Sequence, residues 1–270
     1  MSSPGPGPRN RSNRVPARAV LAAAGVLLFS TRALAGGAGT AAAEFLQLGF
    51  GARAVGFAEA FVPVADDVSA LYYNPAGLAY PALYDPKSRS GPDELLAAQS
   101  LLVQDIGLTQ VGFVRRPFGV SMTYLNLGGI EQRTLETDAP TNAGASDLAV
   151  GATCARRIAG VGFGVTGKYI RETIASYSAS SYALDVGALR RFERLPVSVG
   201  FDLSNAGTPV RFISQSYPLP TTASVGVAYG ATRAFPSAVV LQGDLPNGSN
   251  PDLRLGFEYR GFGPFALRAG

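Results

Sequence analysis

From residue 94 onward, bulky apolar residues alternate along the chain with small or polar residues. In one stretch, for example, Val120, Met122 and Tyr124 alternate with glycine, serine and threonine. A period of two predicts β-strands, because successive side chains of a strand point to opposite faces of the sheet. The pattern recurs in residues 119–124, 147–154, 161–169, 182–186, 197–201, 225–229 and 253–259. We therefore predict about eleven strands between Glu94 and the end of the chain, each about nine to eleven residues long.

The links between these segments alternate in length. Short links are expected at residues 116–118, 158–160, 191–195, 231–236 and 261–264, longer polar links at 134–146, 207–221 and 245–251, and a shorter polar link at 175–180. Short turns at one end and longer loops at the other are typical of outer-membrane barrels. Alternation alone also fits a soluble β-sandwich, whose apolar face meets a second sheet. The link lengths favour an all-β, antiparallel transmembrane β-barrel whose apolar face meets lipid.

Residues 1–35 have the features of a signal peptide. A stretch rich in Pro, Ser and Arg precedes an apolar run at residues 19–29, and Ala33 to Ala35 form a small-x-small cleavage site. We expect the mature chain to begin at Gly36. The chain has 23 basic and 19 acidic residues, and five of the arginines lie in this segment, which leaves 18 basic residues. The basic character of the whole chain is therefore no evidence for nucleic-acid binding.

Composition excludes several classes of site. The chain has no histidine and one cysteine, Cys154, so a Ser-His-Asp triad, a zinc site rich in His or Cys and an intrachain disulfide are excluded. The segment from Gly162 to Lys168 matches the start of a P-loop, but Tyr169 replaces the required Ser or Thr. We predict no metal, no cofactor and no enzymatic activity.

The segment from residue 36 to residue 92 differs from the predicted strands. Between residues 44 and 79 it is mostly apolar, yet it contains scattered charges and three glycines in its first half. We predict two short helical pieces, the second from about Val68 to Tyr73 with Asp66 or Asp67 as its N-cap. Pro75 disfavours helical φ and ψ at Asn74. Because an unpaired buried charge is costly, we predict a compact plug held by internal pairs.

Residues 45–79, FLQLGFGARAVGFAEAFVPVADDVSALYYNPAGLA, closely resemble the N-terminal signature of the PorV/PorQ family of bacterial outer-membrane barrels. That family is related to the FadL-type transporters, which share the NPAG-like element. Phe57 stands where the family usually has Met, and Pro63 where Ala is common. Beyond residue 79 the resemblance is one of strand pattern and not of motifs.

The resemblance implies a non-enzymatic protein of the bacterial outer membrane that acts in secretion or transport. Members of the family are associated with type IX secretion, so the implied partners are outer-membrane lipid, secretion-system components and exported cargo. The alternative is a FadL-like diffusive channel that takes up hydrophobic small molecules. An enzyme in the barrel lumen is the third class, and the absence of histidine argues against it.

The candidate site residues lie in the plug. The plug motif comprises Gly49, Gly51, Arg53, Glu59, Asp66, Asp67, Asn74, Pro75, Ala76 and Gly77. We predict that Arg53 pairs with Glu59, Asp66 or Asp67. If an apolar pocket lies between plug and wall, its predicted lining is Phe50, Phe57, Phe61 and Tyr72, and such a pocket would favour uptake over secretion.

The strands carry a small set of charges at positions that face the predicted lumen. They are Asp147, Lys168, Asp185, Asp202, Arg254 and Glu258. Their signs are mixed, so we expect them to pair with one another or to anchor the plug rather than to select ions.

The predicted strand count is odd, whereas single-chain bacterial barrels have an even number of strands. By resemblance the barrel of the family has about fourteen strands and ends on an aromatic residue. We therefore expect the barrel over residues 93–270 to be incomplete at its C-terminal end, with an open seam.

Overall fold

The computed structural model describes residues 41–80, 93–103, 106–132, 141–192, 194–230, 235–262 and 265–270. The predicted signal peptide, the cleavage site and residues 81–92 lie outside the described residues. Residues 41–80 contain four short helical turns: a 3₁₀ turn at Glu44–Gln47, helix α1 at Ala52–Val55, helix α2 at Ala70–Tyr73 and a 3₁₀ turn at Pro75–Ala79.

Thirteen β-strands follow in the described part of the chain. They are β1 Glu94–Leu101, β2 Gly107–Arg115, β3 Phe118–Gln132, β4 Thr141–Ile158, β5 Val161–Ile174, β6 Tyr177–Arg191, β7 Val197–Gly207, β8 Val210–Phe212, β9 Gln215–Tyr217, β10 Thr222–Tyr229, β11 Ser237–Pro246, β12 Asp252–Phe262 and β13 Phe265–Ala269. All except β8 and β9 form one antiparallel sheet in chain order, and β8 and β9 form a separate hairpin. The eleven strands of the main sheet confirm the predicted number and the all-β class.

The strands in the middle of the sheet are longer than predicted. β3 to β6 have 14 to 18 residues, because segments predicted as loops continue the ladder. Thr141 pairs with Gln132, and Tyr177 pairs with Ile174, so residues 141–146 and 177–180 of the predicted links are strand. Residues 134–140 of the first link lie outside the described residues. The predicted loop at 207–221 contains the hairpin β8–β9. We predicted loops in these segments because their residues are polar, but their backbone groups pair with a neighbouring strand.

The strands of the main sheet end at two rims, which we name after the links that join the strands there. The short-turn rim carries the β2–β3 and β4–β5 turns, at residues 116–117 and 159–160. The long-loop rim carries the β7–β10 connection, which includes the hairpin β8–β9. Within the described residues β1 and β13 lie at the two ends of the sheet, which is not closed.

The two faces of the main sheet have opposite surroundings. Along β6, residues 179, 181, 183, 185, 187 and 189 are buried, and the residues between them are mostly exposed. The buried face contacts residues 41–80: Gly112 on β2, Gly187 on β6 and Gly256 on β12 all lie against this segment. The sheet therefore curves around residues 41–80, which we call the plug. No helix in the described part of the chain is both long and apolar enough to cross a membrane.

Candidate functional site

The NPAG element lies on the inner face of β5 and β6. Asn74 is fully buried in an extended conformation, with φ −165° and ψ 102°, as expected for a residue before proline. Its Oδ1 accepts a hydrogen bond from Ala76 N at 3.0 Å and so caps the 3₁₀ turn at Pro75–Ala79. Its Nδ2 donates to the carbonyl oxygens of Val62 at 3.0 Å and Ala188 at 3.3 Å. One side chain therefore joins the two halves of the plug to β6.

Glycines on the inner face let the plug approach the wall closely. A Cβ atom at Gly164 would overlap the backbone of Pro75, and one at Gly187 would overlap Oδ1 of Asn74. Other inward glycines lie equally close to the plug: Gly112, Gly119, Gly162, Gly200, Gly226 and Gly256. The sequence predicted these small residues as the inner face. Which glycine contacts which plug residue depends on the path of residues 50–80, and the alternating pattern of the strands does not predict that path.

Arg53 is the centre of a buried charge network. Its Nη1 donates to the carboxylates of Asp66 and Asp67, the latter at 2.7 Å, and its Nε lies 3.4 Å from Oε1 of Glu258 on β12. The pairing with Asp66 and Asp67 agrees with the prediction, whereas Glu59 pairs elsewhere. Burial by itself would lower the pKa of Arg53, but the three carboxylates outweigh burial and raise it. Arg53 therefore stays charged and links α1 to the start of α2 and to the wall.

The start of α2 differs from the prediction. The helix begins at Ala70, and Ser69 rather than an aspartate occupies the N-cap position. Oδ1 of Asp67 accepts a hydrogen bond from Ser69 N at 2.8 Å, so Asp67 orders the turn that leads into the helix. The carboxylate of Asp66 is directed to Arg53 instead. The helix therefore begins two residues after the predicted start at Val68, and Asp67 binds the turn before it through Oδ1 while its Oδ2 binds Arg53.

Glu59 connects the plug to a second part of the wall. It lies in a tight turn with φ 62°, and its Oε2 is 2.9 Å from Nη1 of Arg254 on β12. Arg254 also contacts Oδ2 of Asp244 on β11 at 2.9 Å. Gly49 packs so closely against Glu59 that a side chain there would displace the carboxylate. Gly51, with φ 77°, begins the turn into α1.

Sequence reasoning missed several wall residues that hold the plug by its backbone. Arg116 donates to the carbonyl oxygens of Asp66 at 2.7 Å and Tyr80 at 2.9 Å, and Arg191 donates to that of Ala65 at 3.0 Å. The period of two could have found Arg191, because it has the same parity as the buried residues of β6. No local signal identifies Arg116, which lies in the β2–β3 turn.

The four aromatic residues predicted to line an apolar pocket are distributed unevenly. Phe50, Phe57 and Phe61 have no exposed surface, and Phe57 and Phe61 pack in an apolar cluster formed by plug and wall residues. Tyr72 stacks on Phe50 with 4.0 Å between ring centroids, and burial raises its pKa to about 12. Tyr72 also lines the cavity described next, whereas the three phenylalanines do not.

A cavity of about 270 Å³ lies between the plug and the wall. Its lining includes Leu46 to Gly49 and Tyr72 from the plug, and inward-facing residues from β2 to β12. Many of these are polar or charged, among them Glu59, Gln110, Lys168, Asp202, Asp244 and Arg254. Of the charges predicted to face the lumen, Lys168, Asp202 and Arg254 line this cavity, Asp185 and Glu258 are buried on the same face, and Asp147 has the strand parity of buried Ala145 and Ala149. In the described residues, no group of three His, Cys, Asp or Glu side chains is placed to hold a metal ion.

No family model matches the chain, and comparison with curated proteins finds no match.

Proposed function

We propose that the chain is a non-enzymatic outer-membrane β-barrel protein of the PorV/PorQ type, acting in secretion or transport across the outer membrane. The observation that carries the proposal is the outer face of the main sheet. On β6 this face presents Tyr182, Leu184 and Val186, whose exposed fractions are 65%, 46% and 37%. Soluble monomers rarely expose apolar patches of this extent, whereas transmembrane strands present such a face to lipid.

The arrangement of side chains along the outer face also supports contact with lipid. Tyr124, Tyr169 and Tyr182 lie towards the long-loop rim, and Phe118, Phe163 and Tyr229 lie towards the short-turn rim. Arg171 on β5 and Arg190 on β6 follow at the ends of this face. An apolar band with aromatic residues at both edges is typical of outer-membrane barrels.

The filled interior supports secretion or regulated transport rather than an open pore. The plug is fixed to the wall by the Arg53 network and by the Asn74 hydrogen bonds, so passage through the sheet would require the plug to move. The proposed partners are outer-membrane lipid, other secretion components and exported cargo. The described cavity has a largely polar lining, which gives uptake of hydrophobic molecules no specific support. Uptake stays a prediction.

Two measurements test the proposal. In the first, the chain with its predicted signal peptide is expressed in a Gram-negative host. We expect the protein in the outer-membrane fraction, and we expect its extraction to require detergent. Recovery in aqueous buffer would contradict the membrane placement. Deletion of the gene in its native host is then expected to trap exported proteins in the periplasm without changing the uptake of a labelled fatty acid. Normal export together with lost fatty-acid uptake would replace secretion by the uptake function.

A further inference from the structure

The plug passes through the interior of the sheet from one rim to the other. Near the long-loop rim, Ala42 N donates to Pro218 O at 2.9 Å and Ala43 N donates to Oε1 of Glu172 at 2.7 Å. At the short-turn rim, the hydroxyl of Tyr80 lies 2.9 Å from Gly160 O and 2.8 Å from Leu189 O. Residues 41–49, which we call the cap, therefore lie near the long-loop rim, and Leu46 to Gly49 form one side of the cavity.

The cap is attached differently from the rest of the plug. Phe45 is its main anchor, 4% exposed, in an apolar cluster with Ile170, Val210 and Leu219. Residues 50–80 are held instead by the charge network of Arg53 and by close contact with the wall glycines. Of the nine cap residues only Ala43 and Phe45 are buried, whereas most of residues 50–80 are, and segments with fewer buried contacts open at lower free energy. Gly49 and Gly51 lie where the cap joins residues 50–80. Glycine has the backbone freedom that a hinge at this position requires.

The cavity beneath the cap has an excess of negative charge. Its lining contains Glu59, Asp202, Asp244 and Asp252 but only two cationic side chains in the part of the chain that the structure describes, Lys168 and Arg254. Both cations are already paired, Lys168 with Asp185 at 2.7 Å and Arg254 with Glu59 and Asp244 at 2.9 Å each.

One carboxyl oxygen in the cavity lining, on Asp202, accepts no hydrogen bond from the described residues. The residue is 3% exposed and lines the cavity, and Oδ1 has no hydrogen-bond partner among the described residues. An unpaired buried carboxyl group favours its neutral form, and a cationic donor beside it would favour the charged form. The remaining lining supplies neutral polar groups, including Ser224 and Gln242.

We infer that the cap is a hinged lid, and that the cavity behind it admits small cationic solutes, such as those with a primary ammonium group, in preference to anions. Asp202 supplies the carboxyl group that becomes charged, releasing its proton to solvent, when the cation binds beside it. Lid and cavity are properties of the folded chain, so the inference stands apart from the proposed role in secretion and is testable in detergent.

The experiment measures the rate at which a cavity thiol reacts with charged reagents. The background variant Cys154→Ser removes the native cysteine, and Ser224→Cys places a thiol in the cavity, at a position that is 7% exposed. The purified full chain is treated with 2-aminoethyl methanethiosulfonate, a cation, or with 2-sulfonatoethyl methanethiosulfonate, an anion. Because a cleft of one charge sign concentrates ions of the opposite sign, we expect the cation to react at least about tenfold faster.

Two further variants test the parts of the inference separately. Asp202→Asn is expected to lower the cation-to-anion rate ratio by about threefold or more, whereas Asp93→Asn, an exposed carboxylate outside the cavity lining, leaves the ratio unchanged. Phe45→Ala removes the anchor of the lid and is expected to raise both rates by at least about tenfold. Val55→Ala, which truncates an exposed side chain of the plug, is the matched control.

Each outcome decides one claim. Equal rates for the two reagents, or an unchanged ratio in Asp202→Asn, overturn the cationic site. Unchanged rates in Phe45→Ala overturn the lid. Circular dichroism checks the fold of every variant, and Ser204→Cys, which places a thiol on the neighbouring wall of the same cavity, repeats the measurement if Ser224→Cys does not fold.

Discussion

The inner and outer faces of the main sheet show how one alternating pattern produces two different environments. Gly164 and Val165 are neighbours on β5, yet Gly164 lies against the backbone of Pro75 and Val165 is 40% exposed. The same contrast holds on β6, where Gly187 contacts Asn74 and Val186 points outward. Small residues are thus buried and bulky apolar residues are exposed. A soluble sheet has the reverse arrangement, because its bulky face is the one removed from water.

The charges follow the same division. Asp66, Asp185 and Glu258 are buried on the inner side, and each has a basic side chain as a partner. The middle of the outer face of β5 and β6 consists of apolar residues, glycine and tyrosine. The stability of the inner face therefore depends on paired charges and close packing. The stability of the outer face depends on the medium that surrounds it. Substitutions that separate these two dependences test the comparison.

The largest effect is expected at the centre of the inner network. Arg53→Met leaves Asp66 and Glu258, whose side chains are 0% and 1% exposed, without their common cation. Breaking a buried charge network in this way typically costs about 3–5 kcal/mol. The midpoint of urea unfolding, followed by circular dichroism in detergent, measures the loss. Arg115→Met is the control, because Arg115 pairs with Asp93 on the exposed surface. Equal shifts of the unfolding midpoint in both variants would show that the buried network of Arg53 stabilises the fold no more than an exposed ion pair does.

A smaller effect is expected from a charge on the outer face. Val165→Lys is expected to destabilise the chain in lipid bilayers by about 2–4 kcal/mol, the cost of a cation near the bilayer midplane. Arg171→Lys, on the same face of β5 at its end, is expected to have little effect, because a charge is already present there. Folding yield and unfolding midpoint in bilayers are the measurements. If Val165→Lys is as stable as the parent chain, the outer face meets water and the proposed membrane placement fails.

The smallest of the three effects is expected from one added methyl group. Gly164→Ala places a Cβ atom against the backbone of Pro75, and overpacking of this kind costs about 1–3 kcal/mol. Gly167→Ala, on the outer face of the same strand, meets no atom within 4 Å and is expected to change stability by less than about 0.5 kcal/mol. Limited proteolysis of residues 50–80 adds a direct measure of plug seating. Equal protection in both variants would show that the plug does not depend on the inward glycines.

Much of the wall could be predicted from the sequence, because strand periodicity is local. The eleven strands of the sheet and the inward parity of Asp185 and Glu258 follow from a repeat of two residues. Loop boundaries were predicted less well. The polar residues that follow Thr141 pair across the ladder with β3, and nothing in their composition announces a partner strand.

The candidate site was predictable in its parts and not in its connections. The pairing of Arg53 with Asp66 and Asp67 spans 13 and 14 residues, and residue type and proximity were enough to suggest it. The contact of Arg53 with Glu258 spans 205 residues, and that of Glu59 with Arg254 spans 195. Such pairs depend on which strand lies beside which part of the plug, so a scan along the chain does not reveal them.

By itself, the sequence determined the period of the strands, the apolar character of one face and the extended backbone before Pro75. These features follow from the geometry of a few neighbouring residues. The tertiary structure alone decided which strands lie beside which part of the plug, which glycines the NPAG element packs against and which wall arginines hold its backbone. The reason is physical: those contacts exist only after eleven strands curve around one segment, and that curvature brings together residues that are far apart in the chain.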